Sequence, residues 1–145
     1  MRIADVLRGK GADGAVVATV DPGTTVEGLI AELHRHNVGA LVVLDGDRVV
    51  GIVSERDVVR GLATRGGELF NATVADIMTT EVSTCAPTDS VDSLAATMTE
   101  RRIRHLPVIE DGALAGIVSI GDVVKSHISQ LEADRDQLQS YISQG

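Results

Sequence analysis

A nine-residue stretch occurs twice in the chain, and this internal repeat constrains the fold more than any other feature of the sequence. Gly51 to Val59 reads GIVSERDVV, and Gly116 to Val124 reads GIVSIGDVV. Around these stretches, Val17 to Arg60 aligns without a gap on Val82 to Lys125. Such self-similarity at a fixed offset is typical of a duplicated structural unit. We therefore expect two copies of one fold.

Both copies predict the same order of elements. An extended segment ends at Pro22 or Pro87, a helix with one apolar face follows, and two apolar runs then flank a glycine-containing turn. A second helix begins at Ser54 or Ser119. The order is β-α-β-β-α in an α+β fold. We expect the two repeats to pack with pseudo-twofold symmetry, because each alone would leave apolar surface exposed.

Local patterns predict where the first helix of each repeat begins and ends. Thr24-x-x-Glu27 matches a capping box, and Asp89-x-x-Asp92 is a weaker acidic version of it. Asn37 is expected to close the first of these helices, since Asn tolerates left-handed backbone geometry. The extended segments before the helices are expected to be strands, at residues 17–20 and 82–85.

The repeats also predict the domain boundaries. These are a first repeat at residues 1–65, a linker at 66–73, a second repeat at 74–127 and a helical extension at 128–145. Residues 3–7 resemble residues 74–78, so each repeat begins with a short apolar segment ahead of its first strand. Lys10 to Gly14, a glycine-rich segment found only in the first copy, predicts a surface loop.

The C-terminal extension predicts a long amphipathic helix. Its apolar positions follow a four-three spacing: Val124, Ile128, Leu131, Leu138 and Ile142. Arg135 takes one of the positions at which an apolar residue is expected. Two arrangements remain open, packing on its own domain or pairing with another subunit, because about two and a half heptads are too few to decide.

Composition excludes several classes of function. A net charge of -8 opposes binding to nucleic acid and to anionic membranes, which needs clustered positive charge. The longest apolar runs fall far short of the roughly 18 residues of a membrane span. The start of the chain also lacks the apolar core of a secretory signal, so a cytoplasmic location is expected. One cysteine, Cys85, excludes an intrachain disulfide and a multi-cysteine metal site.

The sequence carries no motif for catalysis or metal binding. The phosphate-binding P-loop, the dinucleotide GxGxxG and the zinc-protease HExxH patterns are absent. His34 and His36 lie two residues apart on a predicted helix, so they point to different faces. We therefore expect no enzymatic activity, no catalytic cofactor and no metal.

The two strand-to-helix junctions are the candidate ligand sites. Ser54 with Asp57, and Ser119 with Asp122, place a hydroxyl and a carboxylate at the start of a helix. A carboxylate can accept bonds from both hydroxyls of a cis-diol, and the free N–H groups of a helix start favour an anion. Ser-x-x-Asp is also an ordinary helix cap, and the two interpretations are compatible.

Three parts of the chain resemble the CBS domain, named after cystathionine β-synthase, in the tandem arrangement called a Bateman module. They are the two Gly-Ile-Val-Ser-x-x-Asp stretches, the segment from Asp76 to Thr79, and the segment from Arg102 to Val108. The resemblance covers residues 1–127 and is strongest to small stand-alone two-CBS proteins of bacteria and plant organelles. It implies a non-enzymatic sensor that binds an adenosine-containing ligand between its repeats. AMP is the first candidate, with ADP, ATP, NAD(H) and S-adenosylmethionine as alternatives.

The resemblance also implies roles for individual residues. Asp57 and Asp122 would bind ribose hydroxyls, while Ser54 and Ser119 would reach phosphate or ribose. The adenine ring would lie against strand ends whose backbone groups read its edge: Thr19, Val20 and Pro22 in one cleft, and Thr84, Cys85 and Pro87 in the other.

Cations for a phosphate are expected from a few arginines. Arg104 ranks first, followed by Arg56 and then Arg102, because guanidinium matches phosphate geometry. His105, beside Arg104, is a further candidate for a phosphate contact, and a partly buried structural histidine is the alternative. The first copy has Gly39-Ala40 where the second has Arg104-His105. The second cleft is therefore expected to dominate.

Partners are implied in the same way. Family members commonly pair two modules into a flat dimer, so a homodimer is expected. With no output domain in the sequence, the regulated target is expected to be a separate, unknown protein, and thioredoxin-type partners are one class implied by plant relatives. The alternative function is an assembly module with structural clefts, which contacts its partner through the C-terminal helix.

Overall fold

The chain folds into the same run of elements twice. The computed structural model describes residues 1–10 and 17–144. The elements in these residues are α1 (Ile3–Gly9), β1 (Thr19–Val20), α2 (Val26–His36), β2 (Ala40–Asp45), β3 (Arg48–Ser54), α3 (Glu55–Arg65), a 3₁₀ helix (Gly66–Asn71), α4 (Val74–Ile77), α5 (Val91–Arg101), β4 (His105–Glu110), β5 (Ala113–Ser119) and α6 (Ile120–Gln144). This confirms the predicted α+β class and the duplication.

Each repeat is built on an antiparallel hairpin with the same register. Ala40 pairs with Ser54 in the first hairpin, and His105 pairs with Ser119 in the second. The start of the inner strand therefore lies beside the strand-to-helix junction in both copies. β1 adds a short parallel strand to the first hairpin.

The first strand predicted in the second repeat, at residues 82–85, is wrong. Only a single bridge, between Cys85 and Val108, remains there among the described residues. Thr19 of β1 pairs with Val42 of β2, and the residue equivalent to Val42 is Pro107. Because proline has no N–H group, the second copy lacks the donor that this position of the ladder needs.

Helices α2 and α5 begin one residue later than their capping patterns predicted. Thr25 and Ser90, rather than Thr24 and Asp89, are the N-cap residues, and each side chain accepts a bond from the backbone three residues further on. Side-chain oxygens of this kind satisfy the free N–H groups of a helix start. Asn37 closes α2 in the left-handed conformation, as predicted.

The leading helix of each repeat packs against the other repeat. In α1, Ile3 is fully buried in the second core, and the Ala4 N–H donates to the carbonyl of Pro87 at 2.9 Å. In α4, the Ala75 N–H donates to the carbonyl of Pro22 at 3.0 Å. The boundaries 1–65 and 74–127 follow chain order and stay a prediction. Packing crosses them, and the exchange of helices joins the two repeats into one unit.

Two apolar cores result, one for each repeat. The buried residues of the first are Val20, Val26, Leu29, Leu33, Leu41, Val43, Val53, Val58, Leu69 and Val74. Those of the second are Ile3, Cys85, Val91, Leu94, Met98, Leu106, Val108, Val118 and Val123. Leu69 comes from the segment predicted to be a linker. Burying one such side chain contributes about 1.5–3 kcal/mol, so this segment contributes to the first core through Leu69.

The helix α6 extends away from the repeats. Its 25 residues span about 37 Å. The apolar side chains from Val124 onward are exposed, with Leu131 at 67%. The arrangement in which this helix packs on its own domain is therefore wrong, while pairing with another subunit stays a prediction.

The loop predicted at Lys10 to Gly14 lies outside the described residues, apart from Lys10 itself. Among the helices of residues 1–10 and 17–144, none is both long and apolar enough to cross a bilayer.

Candidate functional site

At the first junction, Ser54 and Asp57 form a reciprocal cap on α3. Asp57 Oδ2 accepts from the Ser54 backbone N–H at 2.9 Å and from the Ser54 hydroxyl at 3.1 Å. The Asp57 N–H donates back to Ser54 Oγ at 3.4 Å. Both bonds to the carboxylate go to one oxygen, so Oδ1 accepts none from the described residues and is free for a ligand.

The second junction has the same cap and one more contact. Asp122 Oδ2 accepts from the Ser119 N–H at 2.8 Å and from the Ser119 hydroxyl at 3.0 Å. It also forms an ion pair with Lys10 Nζ at 2.8 Å. Burial alone would raise the pKa of Asp122, but the bonds from Lys10 and Ser119 outweigh burial and lower it below its ordinary value. The cation expected here was Arg104; the structure has Lys10 instead.

A cleft of about 340 Å³ lies at the first junction and reaches the second repeat. It brings together six of the residues predicted from sequence: Ser54, Arg56, Asp57, Arg102, Arg104 and His105. Arg104 begins the approach to β4, and its carbonyl accepts the Ile120 N–H at 2.8 Å. The side chains of Arg104 and His105 thus face the cleft of Asp57. The sequence assigned both residues to Asp122, and the structure places them in the lining of the cleft of Asp57.

The lining of this cleft is positive, although the chain is acidic. The four arginines are Arg56, Arg60, Arg102 and Arg104, and the three carboxylates are Glu55, Asp57 and Glu81. Four positive against three negative charges leave one net positive charge with His105 neutral. Within the described part of the chain, none of the four guanidinium groups forms an ion pair. The arginines are therefore available to an anion.

Arg102 stands in an uncommon backbone conformation. It closes α5 with φ 55°, in the left-handed region, where Asn37 closes α2 with φ 51°. For a residue other than Gly, Asn or Asp, this conformation costs roughly 1–2 kcal/mol. A strained residue at the rim of a cleft points to a functional role for its side chain.

His105 lies between the two junctions. Its ring is 3.8 Å from the position that a Cβ of Gly39 would take. Burial lowers the pKa of His105 below its ordinary value of 6.5, nearby Asp122 and Glu55 oppose this, and Arg104 and Lys10 add to it. The imidazole is therefore neutral at pH 7 in the absence of a bound anion.

The residues predicted to surround adenine lie outside this cleft: Thr19, Val20, Pro22, Thr84, Cys85 and Pro87. The Cys85 N–H donates to Pro107 at 3.0 Å, and its carbonyl accepts from Ile109 at 2.8 Å. Because both groups are occupied, the prediction that the Cys85 backbone reads a ring edge is wrong. The Cys85 side chain is in the second core, where burial, with a smaller effect of Asp89, raises the pKa of the thiol to about 11.

Sequence reasoning missed several residues of the cleft, among them Arg60, Glu81, Val82 and Ser83. Arg60 follows Arg56 by one helical turn, so the two share a helix face, and this signal was present in the sequence. Val82 and Ser83 directly precede Thr84, so the predicted ligand contact at Thr84 was one or two positions too far along the chain. Nothing in the sequence pointed to Glu81.

Comparison with known proteins agrees with this geometry. The family model of the CBS domain matches residues 15–64 and 74–128. The CBS domain-containing protein CBSX3, mitochondrial, of Arabidopsis thaliana is 38% identical over an alignment of 151 residues, which covers 99% of this chain and 72% of that protein. That relative's name places it in mitochondria, and the cytoplasmic location of this chain stays a prediction.

Solved structures agree as well. The CBS-domain containing protein ATU1752 from Agrobacterium tumefaciens is 41% identical with a TM-score of 0.83, over 88% of this chain and 99% of that one. The CBS domain pair of protein MJ0100, solved in complex with 5'-methylthioadenosine and S-adenosyl-L-methionine, is 25% identical with a TM-score of 0.77, over 88% and 99%. With both repeats matched along their length, the chain belongs to the CBS-domain family and is a tandem pair of CBS domains.

Proposed function

We propose that this CBS pair is a non-enzymatic sensor that binds an adenine nucleotide in the cleft of Asp57 and transmits binding to a partner protein. One observation carries the proposal. The carboxylate suited to a ribose and the arginines suited to a phosphate, which come from both repeats, line one cleft. A ligand that bridges the repeats would alter how they pack, which is how a module without catalytic groups can signal.

The ribose end of the ligand would be held by Asp57. Its Oδ2 is already fixed by Ser54, so the carboxylate is oriented before the ligand arrives. The remaining oxygen can accept a bond from a ribose hydroxyl. Pre-orientation of this kind lowers the entropy cost of binding.

The charge of the cleft favours phosphate over a sulfonium group. S-adenosylmethionine carries a positive sulfur, which four nearby guanidinium groups would repel, whereas phosphate oxygens accept two-pronged bonds from arginine. The MJ0100 pair, bound to methylthioadenosine and S-adenosylmethionine, supports the adenosyl part of the proposal. We therefore place AMP first, with ADP, ATP and NAD(H) next and S-adenosyl compounds last.

The first cleft, not the second, is the dominant site in this proposal. The arginines and His105 lie with Asp57, whereas the carboxylate of Asp122 already has Lys10 as its cation. Substitution of Asp57 should therefore weaken binding more than substitution of Asp122. This reverses the ranking expected from sequence.

Calorimetric titration with AMP, ADP, ATP, NAD(H) and S-adenosylmethionine tests the proposal, using protein freed of carried-over ligand. The test variant is Asp57→Asn. The matched control is Asp76→Asn, because Asp76 caps α4 with the same two bonds, to Thr73 at 2.9 and 3.1 Å, but lies outside the cleft. We expect Asp57→Asn to weaken binding at least about tenfold, the loss of one charge-assisted bond.

Two results would contradict the proposal. One is a wild-type protein that binds none of the five compounds. The other is equal affinity in the Asp57→Asn and Asp76→Asn variants, which would mean that the carboxylate serves only as a cap. Thermal unfolding gives a second measure, because a ligand at a hundredfold excess over Kd stabilises the folded state by about 2.7 kcal/mol.

A second candidate function rests on the exposed apolar stripe of α6. Leu131, Leu138 and Ile142 are 67%, 62% and 74% exposed. Such a stripe at four-three spacing is typical of a helix that pairs with another helix. We propose that it joins two copies of this chain into the homodimer. Deletion of residues 128–145 separates the two functions: a sensor keeps its nucleotide binding, whereas an assembly module loses its oligomer.

A further inference from the structure

The side chain of Lys10 lies at the second junction and makes two close contacts there. Its ammonium group donates to the carbonyl of Ile117 at 2.6 Å and pairs with Asp122 at 2.8 Å. The side chains of Lys10 and Asp122 are only 23% and 22% exposed. Lys10 belongs to the segment that is present only in the first copy, so the first junction has no equivalent lysine.

We propose that Lys10 is a built-in occupant of the second cleft. Its ammonium group pairs with the ribose-binding carboxylate of Asp122, so that the CBS pair has one nucleotide site. This inference rests on the proposed function of the first cleft. In this inference, Lys10 determines which of the two duplicated sites can bind a nucleotide.

The two junctions differ in the group that bonds to an equivalent backbone carbonyl. In the first repeat, the carbonyl of Ile52 accepts the backbone N–H of Thr79 at 2.9 Å. In the second, the equivalent carbonyl of Ile117 accepts the side chain of Lys10. The lysine side chain thus replaces a backbone bond and extends to Asp122 Oδ2, whereas no cation pairs with Asp57 among the described residues.

The charge at Asp122 supports the same conclusion. A partly buried carboxylate is costly without a cation, and Lys10 provides one within the chain. A ribose hydroxyl that took the place of the ammonium group on Asp122 Oδ2 would leave Lys10 without its charge partner. The same ribose would meet no such competition at Asp57. A separate hollow of about 170 Å³ lies between α1 and α6, and Lys10 and Asp122 are at its border.

The chain contains a matched control, because its two lysines are Lys10 and Lys125. Both border the same hollow, but Lys125 is exposed and has no ion pair among the described residues. Trace acetylation with acetic anhydride, read by mass spectrometry, measures the reactivity of each amine without any nucleotide. We expect Lys10 to react about tenfold more slowly than Lys125 in the native protein. Asp122→Asn should remove most of that difference.

Equal reactivity of the two lysines in the native protein would overturn the occupant role of Lys10. So would an Asp122→Asn variant in which Lys10 stays protected, because the carboxylate would then not be what holds it. Denatured protein, in which the two amines should react alike, calibrates the measurement.

Titration with AMP, and with adenosine as an uncharged probe, counts the sites. We expect one site per chain in the wild type and in Lys125→Met, two in Lys10→Met, and one again in Lys10→Met combined with Asp122→Asn. A wild type with two sites, or a Lys10→Met variant with one, contradicts the inference while the first cleft stands. If no variant binds either probe, the proposed function and the one-site conclusion fail together, and acetylation still decides whether Lys10 occupies Asp122.

Discussion

Gly116 and Leu7 approach so closely that a Cβ added to Gly116 would lie 2.7 Å from a methyl carbon of Leu7. Gly51 has the same relationship to Met78, whose sulfur would lie 2.7 Å away. Each glycine begins the repeated GIVS stretch, and each faces the leading helix of the other repeat. The glycine is thus required by the close approach of a helix and not by a turn.

Gly116→Ala should destabilise the protein by about 1–3 kcal/mol, because a methyl group overfills the contact with Leu7. Urea unfolding measures the change. Gly67→Ala is the control, since a Cβ there meets nothing within 4 Å, and its effect should stay within about 0.5 kcal/mol. Adding Leu7→Ala should recover part of the loss, and strict additivity of the two substitutions would contradict the contact.

Arg102→Asn should separate stability from binding. Asparagine tolerates the left-handed conformation, so the variant should be more stable than the wild type by about 1 kcal/mol. It should also bind AMP about tenfold more weakly, since a guanidinium is lost from the cleft. Arg102→Lys keeps the positive charge and the strain, and it serves as the control in both measurements. Unchanged AMP affinity in Arg102→Asn would remove Arg102 from the site.

The stability of the protein should fall as the pH falls below 6.5, in part because of His105. Its pKa in the folded protein is below 6.5, so between that pKa and 6.5 the unfolded chain binds a proton that the folded protein does not. Urea unfolding of wild type and His105→Gln from pH 7.5 to 5.5 should therefore give a steeper decline for the wild type. His34→Gln, at an exposed position of α2, is the control. Parallel declines for the wild type and His105→Gln would refute this assignment.

Leu131→Asp combined with Leu138→Asp should convert a dimer into a monomer in sedimentation velocity. Both side chains are exposed in the single chain, so the free energy of unfolding of the repeats should change by less than about 0.5 kcal/mol. Ala133→Asp combined with Gln137→Asp, on the other face of α6, should leave the dimer intact. A double leucine variant that sediments like the wild type would exclude this stripe as the dimer contact.

Local patterns were sufficient to predict the duplication, the order of elements in the first repeat and the caps at Ser54 and Ser119. Ser54 with Asp57 and Ser119 with Asp122 are each separated by three residues, and short-range spacing is what fixes a helix cap. The prediction of a strand at residues 82–85 was wrong because the residue opposite it in the sheet is Pro107. The sequence shows this proline but not which residue lies opposite it. Pairing partners are long-range information.

Long-range contacts also decided which cleft receives which cations. Lys10 and Ile117 are 107 residues apart, and no spacing rule connects them. Arg104 was correctly selected as a cleft residue, yet it was assigned to the junction of its own repeat. The cleft of Asp57 is lined by residues of both repeats, so sequence proximity to Asp122 was a poor guide.

The exchange of α1 and α4 has a consequence for synthesis of the chain. α1 is translated first but finds its position only when the second repeat, including Gly116, has left the ribosome. The first repeat cannot close until α4 follows it. A chain cut after Asn71 would give two fragments, each with an unused helix and a vacant groove, and each would hold the helix that completes the other.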